Sequence, residues 1–229
     1  MRRPNELVER PPWWAPLYFA LLAVSLVIFG LLSRTVYAGG GFALDEALLR
    51  YFNGLNSSLL TRLAIAVDVF AISYILGTLI FFACIYFWPR SKRSVLFMLL
   101  GFWGAVGLNL VAKLFFARAR PTLFEQLTPI TNSSFPSGHA MGSFAFWLVI
   151  VSVVWRHYPK WLSWVLGFGG LFAVSVGLSR VYLQVHYPSD VLAGWTLSAA
   201  WVLGLDLWYA RRKFEDQNER KHSHNPIPQ

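Results

Sequence analysis

Six apolar stretches, at about residues 13–33, 63–88, 95–116, 139–157, 162–180 and 190–210, alternate along the chain with short polar connections. A hydrocarbon core about 30 Å thick takes roughly 20 apolar residues of helix to cross, so each stretch is long enough to span a bilayer. Between the first two, AGGGFALDEALLRYFN breaks structure with glycines and then places Leu44, Leu48, Tyr51 and Phe52 at helical spacing, with Asp45, Glu46 and Arg50 interleaved. That pattern predicts a short amphipathic helix, lying either on the membrane surface or against the bundle. PRSKR and HYPKW are tight turns, and residues 117–138 form the other long connection. The predicted fold is all-α: a polytopic six-transmembrane-helix bundle at 13–213, with a polar N-terminal segment at 1–12 and a disordered tail at 214–229. Trp13 and Trp14 mark an interface.

Composition supports this layout. Hydrophobic residues make up 56% of the 229 and charged residues 14%, which leaves no room for a second folded domain. The single cysteine, Cys84, cannot form an internal disulfide, and no Cys/His cluster has metal-ligand spacing. His222 and His224 form an H-x-H pair in the tail with no further ligand beside it, so no metal is expected there. The net charge of +9 would point to nucleic acid in a soluble chain. Here the charges sort by connection: Arg2, Arg3 and Arg10; Arg90, Lys92 and Arg93; Arg156 and Lys160; then Arg211, Arg212, Lys213, Arg220 and Lys221. The basic side is the cytoplasmic one, which predicts both termini inside and no nucleic-acid partner. The first stretch exceeds a signal-peptide core and is expected to be retained.

Within the apolar stretches, Gly167, Gly169, Gly170 and Gly177 allow close helix approach. Asn109, Asp68 and Asp206 are polar groups inside or near spans. An intramembrane acid is a functional candidate by default, but positions near an interface favour structural roles for both acids.

With six spans and an inner N-terminus, three polar clusters face the same, outer side. KLFFARARP carries Lys113 and Arg120, and Pro121 turns the chain there. Taken alone, Lys113 is a snorkelling lysine. SSFPSGHAMGS puts Ser137 at the N-cap of an apolar helix whose first N–H groups are free to meet an anion, with His139 at its mouth. SRVYLQVHYPSD carries Arg180, His186 and Asp190, and a carboxylate on one imidazole nitrogen fixes the tautomer and raises the basicity of the other. Jointly, cations, a helix N-terminus, two histidines and a carboxylate suit a phosphoryl group. No acidic cluster is present to hold a metal, so the cations must do that work. The residues themselves leave open which histidine is the nucleophile.

These motifs resemble those of the type 2 phosphatidic acid phosphatase (PAP2) family: K-x6-RP at Lys113 to Arg120-Pro121, PSGH at Pro136-Ser137-Gly138-His139, and SR-x5-H-x3-D at Ser179-Arg180, His186 and Asp190. The resemblance extends over about residues 13–210, without the large extracytoplasmic insert of some relatives. It implies that Lys113, Arg120, Arg180, Ser137 and the Gly138 N–H hold phosphate, and that His186 attacks phosphorus with Asp190 orienting it. It implies that His139 protonates the leaving oxygen and then activates water. No metal or cofactor is implied. The expected site lies at the outer ends of the third to sixth spans, and the expected partners are membrane lipids, with undecaprenyl diphosphate, phosphatidylglycerol phosphate or phosphatidic acid as substrate. The absence of an organelle signal favours a bacterial plasma membrane. A lipid phosphotransferase would share the same phosphohistidine. An anion transporter would need polar groups through the whole bilayer depth, whereas these cluster at one end. Vanadate haloperoxidases share the motifs but are soluble.

Overall fold

The ends of the helices follow from the residues that flank them. A computed structural model describes residues 15–128 and 130–223, excepting the side chains of 15 and 211–223. The N-terminal segment 1–12, the Trp13–Trp14 pair and His224 lie outside the described residues. Helix α1 (Ala15–Tyr37) stops at the glycine turn, where Gly39 takes φ +72°. Then come α2 (Ala43–Gly54), α3 (Ser58–Phe70), α4 (Ser73–Phe87), α5 (Lys92–Phe116) and α6 (Gly138–His157). Ser57 Oγ accepts from Leu60 N and Ser91 Oγ from Ser94 N, capping α3 and α5. α5 ends where Ala117 turns left-handed at φ 45°. Helix α7 (Pro159–Tyr182) opens with a 3-10 turn, is π-helical over Val165–Gly169 and is α-helical from Gly170. Helix α8 is Pro188–Ser223.

Among the described residues five helices are long and apolar enough to cross a membrane, and α3 with α4 forms a sixth span if that bent pair counts as one. Here the structure differs from the single helix expected over 63–88. Ala71 N donates to Val67 O and Asp68 O, closing α3 with a tight turn, and α4 departs at 46°. Hydropathy does not register such a bend, because both halves are equally apolar.

α6 is the central helix, packed on α5, α7 and α8, while α1 leans on α8. Ile80, Met98, Phe102, Ala105, Met141, Ala145 and Val149 form the main core between α4, α5 and α6. The outward faces stay apolar and exposed, as with Phe81, Phe82 and Ile85 on α4 or Leu110, Val111 and Leu114 on α5, which suits a lipid surround. Three of the four α7 glycines sit against tryptophans: Gly169 and Gly170 on Trp147, and Gly177 on Trp195. Cys84 is buried and free.

Helix α2 packs on the bundle, but not through the face that the apolar spacing selects. Asp45 and Leu49 are its buried residues, and Leu44, Leu48 and Tyr51 are exposed. Polar bonds to Asp45 set this rotation, as described below. At the other end, α8 continues to Ser223, into the stretch expected to be disordered from 214. Phe214–Ser223 contains neither glycine nor proline and is rich in Glu, Gln, Lys and Arg, which propagate a helix well.

Candidate active site

Four helix ends and two loops, 117–137 and the 183–187 connection that carries His186, converge at one end of the bundle. Lys113 lies on the last turn of α5, Ser137 and His139 on the start of α6, Arg180 on the last turn of α7, and Asp190 on the first turn of α8. All eight residues expected from the sequence are in this region, and the loop 117–137 ties them together.

Asp190 is fully buried and saturated with donors. Arg118 Nη1 donates to Oδ1 at 2.5 Å, Tyr187 N donates to Oδ2 at 2.9 Å, and Ser134 Oγ also donates to Oδ2. The bond back to Tyr187 N resembles half of a capping box, since Asp190 is the third residue of α8. His186 Nδ1 lies 3.4 Å from Asp190 Oδ2 and 3.3 Å from Ser134 Oγ. Ser134 gives its hydrogen to Asp190, so its oxygen is left to accept, and Nδ1 carries the ring proton. Nε2 then holds the lone pair, and Arg120 Nη1 donates to it at 3.2 Å. Burial pushes the His186 pKa down to about 3, against the opposing pull of Asp190. The imidazole is therefore neutral at physiological pH, with its free nitrogen aimed at the cations.

Arg120 is held by Asn132 O at 2.8 Å, Asn132 Oδ1 at 2.6 Å and Val185 O at 2.5 Å. Burial, then the neighbouring Arg180 charge, pushes its pKa down to about 10, so it remains a cation. Lys113 Nζ donates to Ser133 O. Arg180 is completely buried; its Nη1 donates to Asp68 Oδ1, and its Nε and Nη2 have no partner among the described residues. A buried guanidinium edge without an acceptor is costly unless something else supplies one.

Ser137 stands at the N-cap position, as expected, but its side chain makes no capping bond. Its Oγ is buried without a partner among the described residues, and its N donates to Asp190 O at 3.0 Å. The first N–H groups of α6 thus stay uncapped by this hydroxyl, the condition for an anion at a helix start. A Cβ on Gly138 would stand 3.0 Å from Asn109 Oδ1 and 3.8 Å from Lys113 Cε, and one on Gly194 would stand 2.9 Å from Ser137 O. Glycine at both positions lets α5 and α8 close on this turn.

Sequence reasoning missed Arg118, Ser134, Asp45 and Asn132, and favoured a structural role for Asp68 while keeping it as a functional candidate. Asp45 Oδ1 accepts from Ser189 N at 2.9 Å and Oδ2 from Ser189 Oγ at 2.6 Å and Arg118 Nη2 at 3.0 Å. These bonds rotate α2. Arg118 is one of the unspecified positions between Lys113 and Arg120, and only its neighbours in space distinguish it. Asp68 did carry a signal, as a lone acid in an apolar helix. Asp206, by contrast, lies away from this cluster, with Ser152 at 2.5 Å and Arg156 as partners. A cleft of about 920 Å³ runs alongside, lined by Val36, Tyr37, Phe42, Phe116, Arg118 and Tyr187 among others.

A helical membrane bundle that turns three cations, two histidines and an open helix start toward one another is, as a class, an enzyme built for phosphoryl groups. Residues 92–214 match the model of the PAP2 superfamily, and the chain belongs to that family; it is a phosphatase of the PAP2 type. It is 32% identical to phosphatidylglycerophosphatase B of Bacillus subtilis (strain 168), over 86% of this chain and 96% of that one. It is 28% identical to an undecaprenyl-diphosphatase of Sulfolobus acidocaldarius, over 81% of this chain and 87% of the relative. The crystal structure of a transmembrane PAP2-type phosphatidylglycerolphosphate phosphatase from Bacillus subtilis superposes with a TM-score of 0.74 at 29% identity, covering 83% of this chain and 96% of that one.

Proposed function

We propose that this protein hydrolyses lipid phosphates or diphosphates at the outer membrane face, without a metal, through a phosphohistidine on His186. The observation that carries this is the state of His186: Nδ1 is held by Ser134 and Asp190, and Nε2 presents its lone pair toward Arg120. In the free protein Arg120 donates to Nε2. When a phosphoryl group enters, that guanidinium passes to a phosphate oxygen and frees the nitrogen to attack.

Lys113, Arg120, Arg180, Ser137 and the Gly138 N–H hold the phosphate oxygens. The unpartnered Nε and Nη2 of Arg180 and the unpartnered Ser137 Oγ supply donors that a phosphate would satisfy. Attack by Nε2 forms the P–N bond as the P–O bond to the leaving group breaks, and His139 gives that oxygen a proton. Asp190 stabilises the positive phosphohistidine. Water then attacks phosphorus, gives a proton to His139, and releases phosphate from His186. The cations supply the charge neutralisation that Mg²⁺ supplies in many phosphoryl-transfer enzymes.

The lipid class is supported by the relatives, which act on phosphatidylglycerophosphate or undecaprenyl diphosphate by name. It is supported also by a site at the end of a bundle, where a headgroup meets the protein while its tail stays in lipid. A bacterial plasma membrane with both termini inside accords with the distribution of basic residues.

The test is phosphate release by the purified protein in EDTA from phosphatidylglycerol phosphate, undecaprenyl diphosphate and phosphatidic acid. Turnover of at least one is expected. No release from any of the three, or near-normal kcat in His186→Ala, would sink the assignment. A labelled donor also yields free phosphate rather than a labelled lipid, which separates hydrolysis from phosphotransfer.

A further inference from the structure

Asp68 is an acid inside an apolar helix, and the mechanism just described gives it nothing to do. Its Oδ1 accepts from Nη1 of the fully buried Arg180 and lies 3.8 Å from His139 Nε2. Asp68 sits just before the bend between α3 and α4, on an element outside all three sequence motifs. With Nη1 engaged, the Nε and Nη2 of Arg180 remain without partners among the described residues. That Nε–Nη2 edge is a fork that matches two oxygens of one phosphate.

We propose that Asp68 is a positioning residue for both halves of the reaction: it pins Arg180 with its Nε–Nη2 edge toward the phosphoryl group, and it orients His139 as proton donor. The second role rests on the assignment of His139 as the general acid. Asp68 faces Nε2, so Nδ1 is the nitrogen left for the leaving oxygen. As His186 bonds to phosphorus, the P–O bond breaks and its electron pair stays on the leaving oxygen, which takes the proton from His139 Nδ1. In the second step the same nitrogen accepts a proton from the attacking water, and the P–N electron pair returns to His186. Asp68 keeps its charge throughout. A distance of 3.8 Å is that of an ion pair rather than a hydrogen bond, and contacts of this kind tighten when substrate closes the site. The other charged groups around His139 are Arg180, Lys113 and Arg120. All three are cations, so among the described residues Asp68 is the one anion that favours a protonated ring there.

A carboxylate that merely neutralised Arg180 in the bilayer would give a different result, and the leaving group tells the two apart. An alkyl phosphate departs as a strongly basic alkoxide and needs the acid. p-Nitrophenyl phosphate departs as a stabilised phenolate and does not. Full-length Asp68→Asn, Asp68→Glu and His139→Gln would be purified in detergent and assayed on short-chain phosphatidic acid and on p-nitrophenyl phosphate. Asp68→Asn is expected to lower kcat/KM, which reports the steps up to departure of the leaving group and not the shared hydrolysis of the phosphohistidine, by ~10²-fold on the lipid and by less than ~10-fold on the aryl ester, the range of lost general-acid catalysis. KM should rise for both substrates as Arg180 loosens, and Asp68→Glu should recover part of the lipid turnover. Should Asp68→Asn not fold, Asp68→Ser carries the same comparison. Equal losses on the two substrates, or no loss, overturn the proposal. If His139→Gln shows the lipid-selective loss and the Asp68 variant does not, only the role of Asp68 fails. If His139→Gln lowers kcat/KM equally on the two substrates, the general-acid assignment fails and the role of Asp68 falls with it.

Discussion

Arg118 Nη1 donates to Asp190 Oδ1 across 2.5 Å, while its Nη2 reaches Asp45 at 3.0 Å. One guanidinium thus joins the acid behind His186 to helix α2, and the ring of Tyr187 covers it at 4.1 Å. Removing one member of a buried ion pair strands the other charge, at a cost of about 3–5 kcal/mol. Arg118→Gln should lower stability by an amount of that order and lower kcat, because Asp190 loses a fixed orientation. Arg118→Lys keeps the charge but lacks the planar fork that serves Asp190, Ser189 and Asp45 together, so its kcat should fall between those of wild type and Arg118→Gln. Thermal unfolding and turnover in detergent check both; an unchanged Arg118→Gln would remove Arg118 from the site.

His186 should give stability a pH dependence of definite sign. Buried and neutral, with its pKa pushed down to about 3, it takes up no proton in the folded state where the unfolded chain does, below about pH 6.5. Stability is therefore complete above that value and is lost as pH falls toward 3, with a slope approaching ~1.4 kcal/mol per pH unit. The difference in Tm between wild type and His186→Gln should shrink in favour of the variant as pH drops from 7 to 4. A difference that stays constant would mean the imidazole already carries its proton in the folded protein.

Gly194 tests how closely α8 must approach the start of α6. A Cβ there would stand 2.9 Å from Ser137 O and 3.1 Å from Met141 N, both backbone atoms that cannot turn aside. Gly194→Ala should cost about 1–3 kcal/mol of stability, as overpacking does, and should lower kcat by pushing the helix start away from Asp190. If kcat holds while Tm falls, the spacing serves packing alone.

Asp206 offers the opposite control. It is buried with Ser152 and Arg156, and Arg156 also stacks over Phe97 and Tyr209. None of the bonds described for these residues reaches the cluster around His186. Asp206→Ala should strand Arg156 and lower Tm, with kcat/KM of the surviving folded protein close to wild type. A selective loss of kcat at unchanged Tm would show a role in turnover.

How far the site could be read along the chain depended on what kind of signal each residue left. Lys113, Arg120, Ser137, Gly138, His139, Arg180, His186 and Asp190 fall at fixed spacings beside helix ends, and span parity alone turns them to one side. Arg118 and Ser134 lie inside the same quoted stretches, yet nothing in one dimension separates them from ordinary loop residues. Asp68 announced itself by its setting and not its purpose, because its partners lie 71 and 112 positions away.

The six apolar stretches and their length determined by themselves that this chain is a helical membrane protein, and the polar clusters at their ends pointed to one end of the bundle for the proposed site. Bilayer thickness and helix rise leave no other reading of such lengths. Three features came only with the tertiary structure: the bend between α3 and α4, the rotation of α2 that buries Asp45 instead of Leu44, and the proton on His186 Nδ1. The second and third are settled by contacts between residues far apart in sequence, Asp45 with Ser189 and Ser134 with His186, whose energies outweigh the local pattern of polar and apolar positions; the bend follows a local turn at Ala71 to which hydropathy is blind.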